Sequence, residues 1–526
     1  MAERRTVAVI GAGALGLVTI KNLLEEGFDV TGFERNAYVG GLWQYTEDDK
    51  TSVLQSTIVN VSKERGCFTD LPFQEGVRTH PTAAEVQQYL LQYVKHFNLA
   101  SRIQLNTSIK NVTYSDEHQK WAVHIEGSDP IFFDKVVMAT GINTVASIPN
   151  VKNIDLFEGR CIHSRFFKRP EEFEGRKVLV VGFGNTAADT ATQLVGNASK
   201  IYLSHRHGGV ILPRKQNNQS IDHGLNYRKQ TISDTLWYYA PGVAEYIFNT
   251  FLAKMQNKSF TIRPEWGLSP APSMKQSIPI ISDVLVDGFE KGDIESVAGL
   301  EKVTGPNQVE LSDGTKLDVD TIIYCTGYKI DYSLLEPKYD PTTRTTQKWS
   351  EAHGSNGKPL PRLYRNVFSL EKPESLAFMG TVAFPSPAFQ TYDIASMALA
   401  QIWKGNSNLP GRHEMIDDVD AHHEWVCGMA KDGSVYPGIV KGGEWMRWAN
   451  DAAGTGINEN LGYRWKGWVF WLRNRSLCQM IMGGIYSPHV FRLFEGKRKR
   501  WEGARKAIEK VNRDNGLYGL VKDKNN

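Results

Sequence analysis

One design occurs twice in this chain, and few folds accommodate both copies. In the first, Thr6-Val-Ala-Val-Ile10 reads as a buried strand, and Gly11-Ala12-Gly13-Ala14-Leu15-Gly16 leads it into a helical pattern through Leu24. A second strand, Asp29 to Phe33, then ends on Glu34, 18 residues beyond Gly16. Each part answers a physical demand. Gly11 permits a tight turn, Gly13 lets the backbone approach a pyrophosphate, and Gly16 lets helix pack on strand. The helix start offers unpaired N–H groups and a positive dipole end to phosphates. Glu34 is placed to accept hydrogen bonds from ribose hydroxyls. A glycine-rich turn with no ligand would not need the strand, the helix and the acid in this order.

The second copy has the same parts and a different ending. Lys177-Val-Leu-Val-Val181 is a strand, Gly182-Phe183-Gly184-Asn185-Thr186-Ala187 is the turn, a helix follows through Leu194, and a strand covers Lys200 to Leu203. That strand runs into Ser204-His205-Arg206, with no acid. A carboxylate there would repel a 2′-phosphate, whereas Arg206 can pair with one, so the second site is expected to prefer NADPH over NADH. The alternative is that Arg206 is an ordinary surface arginine.

Two dinucleotide sites on one chain imply a mobile hydride donor and a resident acceptor. Flavin is the usual acceptor, because it passes electrons on to oxygen, a disulfide or a quinone. Two further apolar strands end in small residues, at Ala139-Thr140-Gly141 and Cys325-Thr326-Gly327. Such residues allow the backbone to pass close to a cofactor. The expected fold is therefore α/β with two Rossmann-like dinucleotide-binding domains, one for FAD and one for NADPH. The NADPH domain, 161–326, is inserted between FAD-domain portions at 1–160 and 327–526, the latter carrying an aromatic-rich carboxy-terminal region.

Composition narrows the partners. Lys and Arg number 61 against 58 Asp and Glu, a net charge of +3, which gives no reason to expect nucleic acid or a membrane as partner. The basic run Lys497-Arg498-Lys499-Arg500 reads as a solvated helix face. The five cysteines are scattered with no C-x-x-C pair, which excludes a zinc ribbon and a dithiol and suggests a reducing, cytoplasmic setting. No metal site is expected. No stretch reaches the roughly 20 apolar residues needed to span a bilayer. The most apolar late segment, Trp468 to Tyr486, is interrupted by Arg473 and Arg475.

With these residues in place, the chain resembles the flavin-containing monooxygenases. Their fingerprint, F-x-G-x-x-x-H-x-x-x-(F/Y), is met in full by Phe157, Gly159, His163 and Phe167 ahead of the second glycine turn. Glu34-Arg35 followed by Val39-Gly40-Gly41-Leu42-Trp43 is similar to the family's flavin-side segment, and Asn60-Val-Ser-Lys63-Glu64 to its N-x-x-K-E stretch. Val86 to Leu105 reads as an amphipathic helix leading to a strand, and Gly484–Leu493 with Trp501–Arg505 resembles the family's carboxy-terminal signature. Residues 216–275 and 410–465 fall outside the resemblance and are expected to shape the substrate pocket. His163 is expected to couple the two units rather than act as acid or base.

Three departures stand out. The second turn carries Thr186, Ala187, Ala188 and Asp189 where the family has S-G-x-D, and threonine keeps the hydroxyl. Asp393 and Ala395 replace the usual glutamate and glutamine. Animal members end in an apolar anchor, whereas Gly519-Leu-Val-Lys-Asp-Lys-Asn-Asn526 cannot insert, so a soluble protein is expected.

The resemblance implies a mechanism. NADPH reduces FAD, oxygen adds at the flavin C4a, and a nucleophilic nitrogen or sulfur of a small substrate attacks the distal oxygen of the resulting hydroperoxide. The protein supplies no nucleophile and must exclude water. Asn60 matches the family's asparagine at the flavin face; its alternative is a turn residue. Trp445, Trp448, Tyr463, Trp465, Trp468, Phe470 and Trp471 either wall the pocket or belong to the core. Baeyer–Villiger oxygenation of a ketone uses the same cofactors, and Phe167, where those enzymes tend to carry tryptophan, argues against it. A disulfide reductase would need paired cysteines, and a non-catalytic nucleotide binder would not need Asn60. Oligomeric state is left open.

Overall fold

A computed structural model describes residues 5–383, 386–462 and 464–517. Tyr463 and the tail at 519–526 lie outside the described residues. Walking the chain, strands Thr6–Ile10, Asp29–Phe33, Ile103–Gln104 and Lys135–Met138 come first. Strands Arg160–His163, Lys177–Val181, Lys200–Ser204, Glu295–Val297 and Thr321–Tyr324 follow, and Leu363–Tyr364, Phe368–Ser369 and Leu376–Phe378 come last. They sort into two main sheets.

The first sheet has the order 363–364, 368–369, 376–378, 135–138, 6–10, 29–33, 103–104. Strand 6–10 sits parallel between 29–33 and 135–138, and 376–378 pairs parallel with 135–138. The second sheet, 295–297, 200–204, 177–181, 321–324, 160–163, is parallel throughout. The second sheet is therefore built wholly from residues between two portions of the first. The fold is mixed α/β with two dinucleotide-binding units, one inserted in the other.

Both central strands are apolar at every interior position because both faces of each sheet are covered, one by helices and the other by a three-stranded antiparallel sheet, at 109–133 for the first and 300–318 for the second. Val7, Val9, Leu17, Val18 and Ile20 join Met397, Ala398 and Leu399 of the long helix Ala388–Lys404 in the largest core. A second core holds Val178, Val180, Ala187, Ala188, Ala191 and Leu203.

Four expectations need correction. The amphipathic helix expected from Val86 runs from Ala83 to His96, because Thr82 and Glu85 form a reciprocal capping box that starts it earlier. Leucine 105 lies beyond the short strand Ile103–Gln104. The run Lys497–Arg500 is not a solvated helix face. It is a loop in which Arg498 is 3% exposed, ion-pairs Glu25 and donates to Asn22 Oδ1 at 2.8 Å. Lys497 Nζ turns in to Ser407 Oγ at 2.6 Å. With Lys21, Asp70 and Arg492, which are also buried and paired, this network pins the carboxy-terminal segment to the first helix. The fourth correction concerns the tryptophans. Trp445 is 2% exposed and donates to Arg365 O, and Trp448 packs against Tyr364 and Phe368, so both are core. Trp465, Trp468 and Trp471 are neither core nor pocket wall; they face solvent.

A two-part dinucleotide cleft as the candidate active site

The first glycine turn is closed around itself. Gly11 has φ +105°, and a Cβ there would lie 2.5 Å from Ala139 O, so only glycine fits between strand and strand-end. A Cβ on Gly16 would collide with Gly11 O. Gly13 differs: a Cβ there would meet only Gly41 Cα at 3.6 Å, an ordinary contact. Glycine at 13 is thus not demanded by the protein's own atoms, which is what a position facing a pyrophosphate requires. The Gly40-Gly41 turn bridges to Gly13 and donates Gly40 N–H to Ala12 O at 2.9 Å, which brings Leu42 and Trp43 alongside. Glu34 is buried, with one carboxylate oxygen accepting from Ala12 N at 2.9 Å and the other from Asn36 N at 2.9 Å and Asn36 Nδ2 at 2.8 Å. Arg35 beside it is exposed. Ala14 and Leu15 are buried in the helix that Gly13 begins without any side-chain cap. Thr140 Oγ1 is buried with no hydrogen-bond partner among the described residues, and Gly141 has φ +86°.

The second turn repeats the backbone and leaves the outside open. Gly182 has φ +126°, and its Cβ would lie 2.6 Å from Cys325 O. A Cβ on Gly184 would meet nothing within 4 Å. The helix Asn185–Leu194 starts on Gly184 with no side-chain cap, leaving its first N–H groups free. Asn185 Oδ1 accepts from Ile281 N at 2.8 Å, which holds the turn against the strand Ile280–Ile281. Thr186 is exposed, and Ala187 and Ala188 pack inward. Arg206 is exposed and makes no hydrogen bond or ion pair among the described residues. Ser204 points the other way: it is buried, donates to Ala298 O at 2.8 Å and accepts from Leu300 N at 2.9 Å. Thr326 donates to Ser147 O, and Gly327 has φ +77°.

Between the two turns lies a cleft of about 250 Å³ whose walls include Leu42, Trp43, Asn60, Asn185, Thr186 and Asp189. Residues expected on the flavin side and on the NADPH side thus share one space. Asn60 Oδ1 accepts from Arg214 Nη2 at 2.9 Å. A guanidinium only donates, so the amide is fixed with its oxygen toward Arg214, and Nδ2 remains for the cleft. Arg214 is itself held by Asp283 at 3.0 Å and by the carbonyls of Ile58 and Val59 at 3.0 and 3.4 Å. Burial pushes the Asp189 carboxyl up to about 6, against the lowering influence of Arg214. Among the described residues, no lysine, arginine or histidine lines this cleft.

Sequence reasoning did not find Arg214, Asp283 or the cleft-lining stretch Thr51–Leu54. None falls in a motif, and Arg214 reaches Asn60 from 154 positions away. His163 has both ring nitrogens engaged. Nδ1 accepts from Arg165 N at 3.2 Å, so Nε2 carries the proton to Gly327 O at 2.9 Å. Burial lowers its pKa, and its place is a strut between the strand Arg160–His163 and the Thr326-Gly327 turn. Phe167 is 1% exposed against Phe173 in the second core and does not reach the cleft. The two stretches outside the resemblance meet around a separate cavity of about 300 Å³, lined by Tyr227, Asp234, Met446, Ile457 and Arg464 among others.

The residues fit both dinucleotides. Each turn presents uncapped N–H groups beside a glycine whose Cβ would enter the free space or meet only an ordinary contact. The first has a buried acid at the second strand's end, and the second has an unpaired cation there.

Comparison with known proteins agrees. The flavin-binding monooxygenase-like family matches residues 4–516. The chain is 47% identical to Monooxygenase aurF of Gibberella zeae over 514 residues, covering 97% of this chain and 98% of that one. Among solved structures, S-allyl-L-cysteine S-oxygenase from Allium sativum superposes with a TM-score of 0.62 at 21% identity, covering 97% and 99% of the two chains. Cyclohexanone monooxygenase from Rhodococcus sp. Phi1 bound to NADP+ does so at 0.59 and 16%, covering 86% and 98%. At such identities the two structures speak for the fold alone.

Proposed function

The chain belongs to the flavin-containing monooxygenase family, an FAD- and NADPH-dependent monooxygenase, and from that premise we propose that it oxygenates a soft nucleophile, an amine nitrogen or thioether sulfur, of a small organic substrate. When bound, the flavin accepts hydride from NADPH and activates dioxygen. The chain's own residues have four tasks. The Gly13 turn and Glu34 hold FAD, with Thr140 and Gly141 closing over it. The Gly184 turn, Thr186 and Arg206 hold NADPH. Asn60 presents a neutral N–H donor at Nδ2, locked by Arg214. Leu42 and Trp43 keep water from the space between.

The observation that carries the choice of substrate is the polarity of the cleft. Beside apolar side chains such as Leu42, Trp43 and Leu54, its lining has neutral amides and hydroxyls, one carboxyl, Asp189, and, among the described residues, no cationic side chain. Arg214 nearby has its donors committed to Asp283, Asn60 and two carbonyls. Arg214 is ion-paired with Asp283, so the charge it brings beside the cleft is balanced and gives little support to an anionic oxidant, which attack on a ketone requires; no side chain is placed as a nucleophile. Phe167 lies in the core and does not bear on this choice. The test is NADPH oxidation by the purified yellow protein with a thioether, a tertiary amine and a cyclic ketone offered in parallel. Sulfoxide or N-oxide formation matching NADPH use is expected. Lactone or ester as the main product would overturn the reading.

A further inference from the structure

The segment that follows Arg214 folds back on itself. Lys215–Gln216 pairs antiparallel with Gln219–Ser220, and the two residues between, Asn217 and Asn218, have φ +51° and +64°. Two consecutive left-handed residues make the tight turn that joins such strands, and asparagine tolerates that conformation. The return brings Ile221 N to Arg214 O at 3.1 Å and leads into the short turn Ile221–Gly224. This hairpin belongs to the inserted unit, and what it meets is the flavin-side loop that carries Asn60. The Asp222 carboxylate accepts from Ser62 N at 2.9 Å and from Ser220 Oγ at 2.6 Å, and the Asp222 carbonyl accepts from Arg65 Nη1 at 3.4 Å. His80 Nδ1 donates to Val59 O at 3.2 Å, and its Nε2 lies 3.1 Å from Ser220 Oγ. His223 Nε2 meets Glu64 Oε2 at 3.1 Å. With Arg214 on Ile58, Val59 and Asn60, the loop is tied to the hairpin along most of its length.

Within its own unit the loop is anchored on either side of Asn60, by Val59 N to Pro81 O and by Lys63 N to Thr79 O, each at 2.8 Å. Between these anchors, among the described residues, its backbone N–H bond is the one from Ser62 to Asp222. Arg214 grips the Asn60 amide, and Asp222 grips the backbone that carries it. Burial disfavours charge on the Asp222 carboxyl, but Arg65 and the bonds from Ser220 and Ser62 outweigh it and hold the group below its ordinary range. It is thus a carboxylate at neutral pH, able to accept both bonds at once. We propose that Asp222 is a positioning residue for oxygenation: by fixing Ser62 across the boundary between the units, it keeps Asn60 turned with Nδ2 toward the cleft. The proposal rests on the role given to Asn60 above. It also gives a task to the start of the 216–275 stretch, whose first turns brace the Asn60 loop.

The test uses the full-length FAD-loaded protein and the variants Asp222→Ala and Asp222→Asn. Hydrogen exchange of the 58–66 peptide should quicken about tenfold in Asp222→Ala, for the loss of one hydrogen bond to a charged group. FAD content and the rate of flavin reduction by NADPH should stay near wild type. With a thioether, NADPH and air, most of the NADPH oxidised by Asp222→Ala should appear as hydrogen peroxide. Asp222→Asn keeps one oxygen for Ser62 N and should recover part of the product yield. Should Asp222→Ala lose its FAD, Asp222→Asn is held to the same measures. Asn60→Ala combined with Asp222→Ala should release no more peroxide than Asn60→Ala alone, because both act through one amide. More peroxide from the double variant, wild-type exchange in Asp222→Ala, or loss of FAD from both Asp222 variants would overturn the proposal. Normal product yield from Asp222→Ala beside an uncoupled Asn60→Ala would overturn it and leave the Asn60 reading standing. Normal yield from both would remove that reading and the proposal with it.

Discussion

In the first glycine turn Glu34 is 6% exposed and already bonded to Ala12 and Asn36, while Gly16 is packed against Gly11 O with no room for a methyl group. In the second, Gly184 faces open space, Thr186 and Arg206 are exposed, and the cation beyond the strand's end has no partner among the described residues. The backbone is the same in both, down to the positive φ of Gly11 and Gly182 beside a strand-end carbonyl. What differs is how much of the binding apparatus is held in place before any ligand arrives. A preorganised, buried site suits a cofactor that stays, and an open one suits a cofactor that must enter and leave. The comparison teaches that the glycine motif gives only the turn, and that the two turns differ at the second strand's end, a buried acid in one and an exposed arginine in the other.

The strongest way to break the comparison is Gly13→Ala. Since a Cβ there meets only Gly41 at 3.6 Å, the variant should fold, yet it should purify colourless, with no flavin absorbance. Yellow protein with full FAD content would show that position 13 does not face the pyrophosphate. Next comes Asn60→Ala, which acts between the two sites and should spare both. FAD content and the rate of flavin reduction by NADPH should stay near wild type, while most of the NADPH oxidised in air should appear as hydrogen peroxide. Unchanged product yield would leave Asn60 a turn residue.

The open site should respond more gradually. Arg206→Ala removes one charge-assisted contact and should raise the Michaelis constant for NADPH roughly tenfold or more, with that for NADH nearly unchanged. Equal effects on both coenzymes would make Arg206 an ordinary surface residue. The smallest effect is expected at Asp189. Burial raises its folded pKa from the ordinary 3.8 to about 6, so above pH 6 the fold holds a carboxylate that the unfolded chain ionises more easily. That cost should lessen as pH falls through 6 and vanish below about 4. Asp189→Asn should therefore raise the melting temperature of the cofactor-free protein by a few degrees at pH 8 and not at pH 4. A gain equal at both pH values would contradict the burial account.

Both turns were legible in the sequence because their geometric demands fall on consecutive residues: a positive φ at Gly11 and Gly182, close approach at Gly16, an acid or a cation at the next strand's end. The insertion of one unit in the other was legible too, because each sheet needs a third strand and the two apolar strands before Thr140 and Thr326 supply them. Contacts made across the chain were not legible. Arg214 orients Asn60 from a stretch with no motif, and Arg498 left its expected place on a helix face because Glu25, 473 positions away, is its partner. Ser204, grouped with Arg206 by sequence, turns inward because it ends the strand Lys200–Ser204 with its hydroxyl bonded to Ala298 O and Leu300 N, while Arg206 lies in the bend beyond that strand. Helical periodicity also says that an apolar stripe exists without saying whether anything covers it, which is why the tryptophans at 465, 468 and 471 were misplaced.

Incubation with NADPH, a thioether and 18O-labelled dioxygen, with the product analysed by mass spectrometry and NADPH use followed alongside, tests the central claim most directly. The account predicts a sulfoxide carrying one labelled oxygen, with the NADPH oxidised closely matching the sulfoxide formed. An unlabelled product, or NADPH oxidation that yields only hydrogen peroxide whether or not a thioether or amine is present, would contradict it.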